Sequence, residues 1–167
     1  MSEYPPHHRE RISVWQNKFR NTIISTVSNN FSSKGYSVLT LVNTKEHVTH
    51  LFYSGLNAET YLQGQSSNVV DYLQNKNILA LVSTRANRSI NIPSLNVVID
   101  TSKSFNANLI QQRLGRLVRK GDKKAFFFFF IDKFHKGKNK TRFFKLLGIQ
   151  TITIDSYNLE EWLNETI

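Results

Sequence analysis

"LIQQRLGRLVRKG", residues 109–121, sets three arginines and a glycine inside a segment of helical periodicity. On a wheel of about 100° per residue, Ile110, Leu114, Leu117 and Val118 cluster on one side, while Gln112, Arg116 and Arg119 fall in a narrow sector almost opposite. The apolar side calls for a core beneath the helix, and the guanidinium side faces away from it. Gly115 lies on the flank of the polar sector. A helical glycine costs about 1 kcal/mol against alanine, so its place here wants a reason, the simplest being close approach of another surface. A solvated basic face is the competing reading of the same residues, and the rest of the chain decides between them.

Working outward, short apolar runs alternate with helical patterns. "SVLTLV" (37–42), "NILALVS" (77–83) and "NVVID" (96–100) are rich in β-formers and apolar throughout, the signature of buried strands. "ETYLQG" (59–64) and "QTITID" (150–155) are two further expected strands. "AFFFFFID" (125–132) is apolar on both alternating faces and is expected as a central strand covered on both sides. Between them fall expected helices at 44–53, 67–74 and 109–119, a basic helix "KNKTRFFKLLG" (138–148), and a closing helix "YNLEEWLNETI" (157–167). Upstream, residues 1–7 are expected as a disordered lead. "HHRERISVWQNKFRNTIISTVSNNF" (7–31) follows as one entry helix spanning about 8–33, with Ile12, Trp15, Phe19, Ile23, Val27 and Phe31 as its apolar stripe. Such alternation predicts an α/β sandwich with a largely parallel sheet flanked by helices. Chemistry in such folds collects where strand C-termini enter loops. Asn43, Thr84 and Asp100 stand at such ends.

The 167 residues, 40% hydrophobic, suffice for one domain with a sizeable core. The formal net charge is +10, and 12 of the 22 Lys and Arg residues fall between Arg113 and Lys145, against only Asp122 and Asp132. That block points to a polyanionic partner, most simply nucleic acid. A membrane surface fits less well, because no long amphipathic helix isolates the charges. The chain has no cysteine, which excludes disulfides, thiolate zinc sites and cysteine nucleophiles. "MSEYPPHHRE" (1–10) has no apolar leader core, and no apolar run nears membrane-spanning length. The expectation is a soluble intracellular protein of cytoplasm or nucleus. The abundance of Asn, Lys and Ile is the composition expected of an AT-rich genome, viral or phage.

Two motifs then stand at close range. "QRLGRLVR" (112–119) matches Gln/His-Arg-x-Gly-Arg-x-x-Arg at every fixed position, and "LVSTRANRSINIPSLNVVIDTS" (81–102) precedes it with Thr84, a spacer, and Ser89-Ile90-Asn91-Ile92-Pro93. The pair resembles motifs VI and V in the second RecA-like domain of superfamily 2 helicases. "SVLTLVNTKEHVTHLF" (37–52) resembles motif IV, and "YLQGQS" (61–66) the strand and turn after it. "QRLGRLVRK" and "FFKLLG" look like XPB-type and phage UvsW-type helicases, and "NKFRNTIISTVS" (17–28) is similar to the entry helix of the UvsW type. The likeness runs from about residue 16 to 155. Ser89 and Asn91 depart from the glycine and aspartate usual in motif V, although asparagine still accepts a hydrogen bond.

The resemblance implies a RecA-like three-layer sandwich and half of an ATP-driven motor. Guanidinium offers a planar fork for the charge developing on a γ-phosphate, and a finger delivered from a neighbouring domain is worth about 10³–10⁵ in rate. Arg116 and Arg119 are the implied catalytic fingers. Gln112, Arg113, Gly115 and Asn91 are the implied nucleotide-side residues, with Gly115 permitting close approach. Asn43, Thr44, Gly64, Thr84 and Arg85 are the implied nucleic-acid contacts. ATP and Mg²⁺ would be shared with a first RecA-like domain. No Gly-x-x-x-x-Gly-Lys-Ser/Thr loop occurs in the chain; "KGKNKT" (136–141) is the nearest decoy and lacks the spacing. This chain by itself is therefore expected to be inactive. The alternatives are a non-catalytic nucleic-acid-binding module and a regulatory module that docks on a separate ATPase.

Other constellations carry less. His47-x-x-His50 has helical spacing but no evident third ligand, so a polar face of the motif IV helix is expected and no metal site. Ser83, Thr84 and Asp100 make no triad, as His135 sits in the basic loop. Trp15 and Trp162 are expected as core or interface anchors.

Overall fold

The computed structural model describes residues 5–62, 80–84, 95–102, 107–117, 124–131 and 138–167. In chain order the elements are α1 (Pro6–Glu10), a widened turn (Arg11–Trp15), α2 (Lys18–Ser33), β1 (Val38–Leu41), α3 (Lys45–Tyr53), β2 (Glu59–Tyr61), β3 (Ala80–Ser83), β4 (Val97–Asp100), α4 (Ala107–Leu117), β5 (Phe126–Phe129), α5 (Lys138–Leu146) and α6 (Leu159–Thr166). The five strands are parallel, in the order β2-β3-β1-β4-β5. Leu41 lies level with Ser83 on one side and Asp100 on the other, and Asp100 with Phe129. All the strand C-termini therefore open on one edge. β1, the middle strand, is buried along its whole length, as its run of apolar residues requires.

Side chains alternate between two cores. On the first face Val38, Val42, Val82, Val97 and Ile99 of the sheet meet Ile24, Val27 and Phe31 of α2, Val48 and Leu51 of α3, and Leu159 and Leu163 of α6. On the second face Leu39, Leu41, Leu81 and Val98 meet Leu114 and Leu117 of α4. The phenylalanine run is divided the same way. Phe126 and Phe128 reach Trp162 at 6.2 and 5.9 Å between ring centroids, while Phe127 and Phe129 reach Phe144 of α5 at 5.6 and 5.0 Å. The result is a three-layer α/β sandwich.

Three expectations need correction. β5 is covered on both faces as expected but is the outermost of the described strands, not a central one. Its periodicity reports helices above and below and is silent about lateral neighbours. Residues 150–155 form no ladder; Ile152 is 60% exposed, and Ile154 packs against the first core. The entry helix is interrupted. The widened turn closes with Gln16 N donating to Arg11 O at 2.9 Å, and Asn17 then caps α2 by accepting from Arg20 N at 3.0 Å. Helical structure already begins at Pro6, inside the expected disordered lead. The break rotates the buried side, so Phe19 is 65% and Ile12 42% exposed while Val14 and Ile24 are buried.

The buried side of α2 is also more polar than its apolar stripe suggested. Asn21, Ser25 and Asn29, four residues apart, face α3. Ser25 Oγ donates to Leu51 O at 3.3 Å, and Asn29 Nδ2 donates to Gly55 O at 2.8 Å. Asn29 Oδ1 accepts from Asn57 N at 2.9 Å. α2 and α3 close with Gly35 and Gly55 at φ 78° and 87°, where the backbone amides of Tyr36 and Leu56 bond back to Phe31 and Leu51 carbonyls. Among the described residues no helix is long and apolar enough to cross a membrane.

Candidate functional site

β1 and β4 are neighbours in the sheet, and the helices that follow them lie on opposite faces, α3 on the first and α4 on the second. This is the arrangement at which open α/β sheets bind ligands beyond their strand C-termini. Asn43 is exposed there. Thr44 is half-buried and caps α3, its Oγ1 accepting from His47 N at 3.2 Å, which leaves the hydroxyl hydrogen available to a ligand. Thr84 follows β3 on the same edge and is half-buried. Gly64, Arg85, Asn91 and Arg119 lie outside the described residues, as do Val118 and the expected helix at 67–74.

The end of β4 is tightly bound. Asp100, 1% exposed, accepts at Oδ1 from Ser102 N at 3.0 Å and from Ser102 Oγ at 2.6 Å. Thr101 Oγ1 donates to Leu41 O at 2.8 Å, and Thr101 N donates to the same carbonyl at 3.2 Å. Asp100 thus serves as the anchor of a turn towards α4. Arg20, 4% exposed, donates from Nη2 to Thr101 O at 3.0 Å.

α4 presents its residues as the wheel predicts. Ile110 is 2% and Leu117 8% exposed, Leu114 is half-buried, and Gln111, Gln112 and Gly115 are exposed. Arg113 and Arg116 stand in α4, with their side chains outside the described part of the structure; helical register sets position 116 beside position 112, away from the sheet. A Cβ built on Gly115 meets nothing within 4 Å. Among the described residues the glycine therefore has no packing reason.

Beside the edge, α3 departs from expectation at His47, which is 1% exposed instead of lying on a polar face. Asn21 Nδ2 donates to Trp15 O at 2.8 Å, which turns Asn21 Oδ1 towards His47 Nε2 at 3.0 Å. Nε2 must then carry the hydrogen and donate it. Burial, followed by the charges of Arg20 and His50, pushes the imidazole from 6.5 down to about 4. Nearer the surface, Glu46 accepts from Arg11 Nε at 2.7 Å and from Gln16 Nε2 at 3.1 Å, and the Arg11 hydrogen bond holds its carboxyl below the ordinary value. Among the described residues no group of three His, Cys, Asp or Glu side chains could hold a metal.

Periodicity of apolar residues missed Arg20, Asn21 and Thr101. The signal was in the polar residues of α2, whose four-residue spacing marks a second buried stripe.

The chain belongs to the family of helicase conserved C-terminal domains, whose model matches residues 18–121. No curated protein matches its sequence. Among solved structures, S. cerevisiae Dbp5 bound to RNA and ADP BeF3 is similar at a TM-score of 0.67 and 17% identity, over 90% of this chain and 42% of that one. The C-terminal domain of a variant S. cerevisiae Dbp5 bound to Gle1 and IP6 gives 0.61 and 16%, over 90% and 93%. T4 UvsW gives 0.55 and 12%, over 75% of this chain and 28% of that one. At these identities the likeness is one of fold. The chain thus spans less than half of the RNA-bound Dbp5 chain and of UvsW.

Proposed function

We propose that this chain is the second half of an ATP-dependent nucleic-acid translocase or helicase acting on DNA. Its α4 would deliver Arg116 and Arg119 to an ATP and Mg²⁺ held by a first RecA-like domain. Gln112, Arg113 and Asn91 would line the nucleotide, and Gly115 would let the first domain approach. The exposed strand edge would grip the sugar-phosphate backbone of one strand through Asn43, Thr44 and Thr84, joined by Gly64 and Arg85. Backbone contact suits a motor, which must tolerate every sequence. The likeness in sequence to XPB-type and UvsW-type proteins favours DNA, although the fold alone does not distinguish it from the RNA track of Dbp5.

The observation that carries the proposal is α4. It buries Ile110 and Leu117 yet keeps a glycine in open space on the outer flank, beside Gln112 and in register with a complete motif VI. A binding module working by charge alone needs neither the glycine nor the paired arginines in register. A regulatory module docking on a separate ATPase would use the same surface, and differs only in whether the first domain is on the same polypeptide.

The test is ATP turnover with single-stranded DNA, by this chain alone and with a superfamily 2 first domain supplied in trans. Turnover should appear only in the mixture. The chain alone should bind DNA without sequence preference, and its affinity should fall steeply with salt as neutralised phosphates release counterions. DNA-stimulated turnover by the chain alone, or salt-independent binding, would defeat the proposal.

A further inference from the structure

The start of α2 touches the ends of β4 and β5 and the helix α3. Arg20 and Asn21 sit in its first turn, just beyond the Asn17 cap. The Arg20 guanidinium carbon lies 4.3 Å from the ring centroid of Phe130, immediately after β5, and Nη2 donates to Thr101 O, immediately after β4. One buried side chain therefore spans the ends of two strands. Thr101 is in turn fastened to Leu41 at the end of β1, and Ser102 to Asp100. Asn21, next along, fixes His47 in α3. Burying a guanidinium is costly, and the Thr101 carbonyl and the Phe130 ring face are among the partners that offset the cost and are held by it in return.

We propose that Arg20 is a positioning residue that fixes Thr101 and Ser102, where the chain leaves β4, and through them biases the placement of the arginine-bearing helix. The entry segment, linked to α3 by Arg11–Glu46 and to the β4 turn by Arg20, thereby couples whatever precedes residue 11 to both sides of the site. The role of α4 rests on the function proposed above; the coupling itself does not.

The experiment is residue-resolved hydrogen exchange on the full chain carrying Arg20→Met or Arg20→Lys. Methionine keeps the stem and removes the charge and fork; lysine keeps a charged donor. In Arg20→Met the amides of Thr101, Ser102 and Gln111–Leu114 should exchange at least tenfold faster, while those of Leu39 in β1 and Val82 in β3 change less than threefold. Arg20→Lys should show the same local pattern at a smaller amplitude, and carries the test if the methionine variant does not fold. Unchanged exchange at Thr101 and Ser102, or a uniform rise that includes Leu39 and Val82, would overturn the proposal. In the mixture with a first domain, Arg20→Met should lower kcat about tenfold with KM for ATP nearly unchanged. Absence of turnover even with the native chain would strike the motor reading and leave the exchange result to decide the coupling.

Discussion

α2 and α4 lie on opposite faces of the same sheet, and the two were not equally legible. α4 has a single dry contact. Leu114 and Leu117 meet the sheet, Ile110 is buried on the same side, Gln111, Gln112 and Gly115 are exposed, and a helical wheel drawn from the sequence places them. α2 has two contacts. Ile24, Val27 and Phe31 face the sheet, while Asn21, Ser25 and Asn29 face α3 and spend their hydrogen bonds on it. Hydrophobic periodicity finds the first kind of helix and misplaces the second, because a satisfied polar seam is buried without being apolar. The contrast also bears on function. A helix whose outer face touches none of the described residues offers that face to another surface, whereas a helix fastened on two sides holds the frame.

The largest effects should come from the arginines of motif VI. In the enzyme assembled with a first domain, Arg116→Ala or Arg119→Ala should lower kcat for ATP by roughly 10²–10⁴, with little change in melting temperature. Lysine should rescue poorly, since a point charge does not reproduce the fork. Steady-state ATPase beside thermal melting checks this. Variants that melt early yet keep their turnover per folded molecule would make these arginines structural.

Next come the two cores. Phe31, fully buried and in ring contact with Tyr36, Phe126 and Phe128, should cost about 3–5 kcal/mol on truncation to alanine. Ile110→Ala should cost about 2–5 kcal/mol, and Leu114→Ala less, because Leu114 is only half-buried. Chemical denaturation ranks them; a neutral Ile110→Ala would break the assignment of the α4 stripe.

The polar seam predicts a pH dependence. The unfolded chain takes up the His47 proton near 6.5 and the folded chain only near 4, so between those values the unfolded state holds more protons. Stability should therefore fall as pH falls from about 6.5, by roughly 3 kcal/mol in total once pH passes below about 4. Denaturation at a series of pH values, with His47→Gln as the control, reads this contribution as the difference between the two profiles. Identical slopes in the two proteins would mean that His47 is not buried in its neutral form.

The same contrast explains what else could be foreseen. The parallel α/β architecture, β1, β3 and β4, and the Thr44 start of α3 follow from apolar runs and a capping residue. The edge position of β5 does not, since five phenylalanines specify two covered faces and no lateral partner. Nor does the fate of "QTITID", whose alternation suits a strand although only Ile154 finds the core. Of the site, the strand-end positions and the orientation of α4 were legible. Arg20 and Thr101 were not, because each depends on a contact between segments far apart in the chain; the break at Asn17 is a local polar cap that apolar periodicity does not read.

The smallest effect is the most direct test of the central claim, that the outer face of α4 is shaped for another domain. Gly115→Ala fills space that none of the described residues occupies and removes a poor helix former, so the isolated chain should gain up to about 1 kcal/mol of stability. Measured together with a first domain, the same variant should lose at least tenfold in DNA-stimulated ATP turnover, because the added methyl group meets the approaching surface. A variant that is stabilised and fully active would contradict the claim and return α4 to a solvated basic helix.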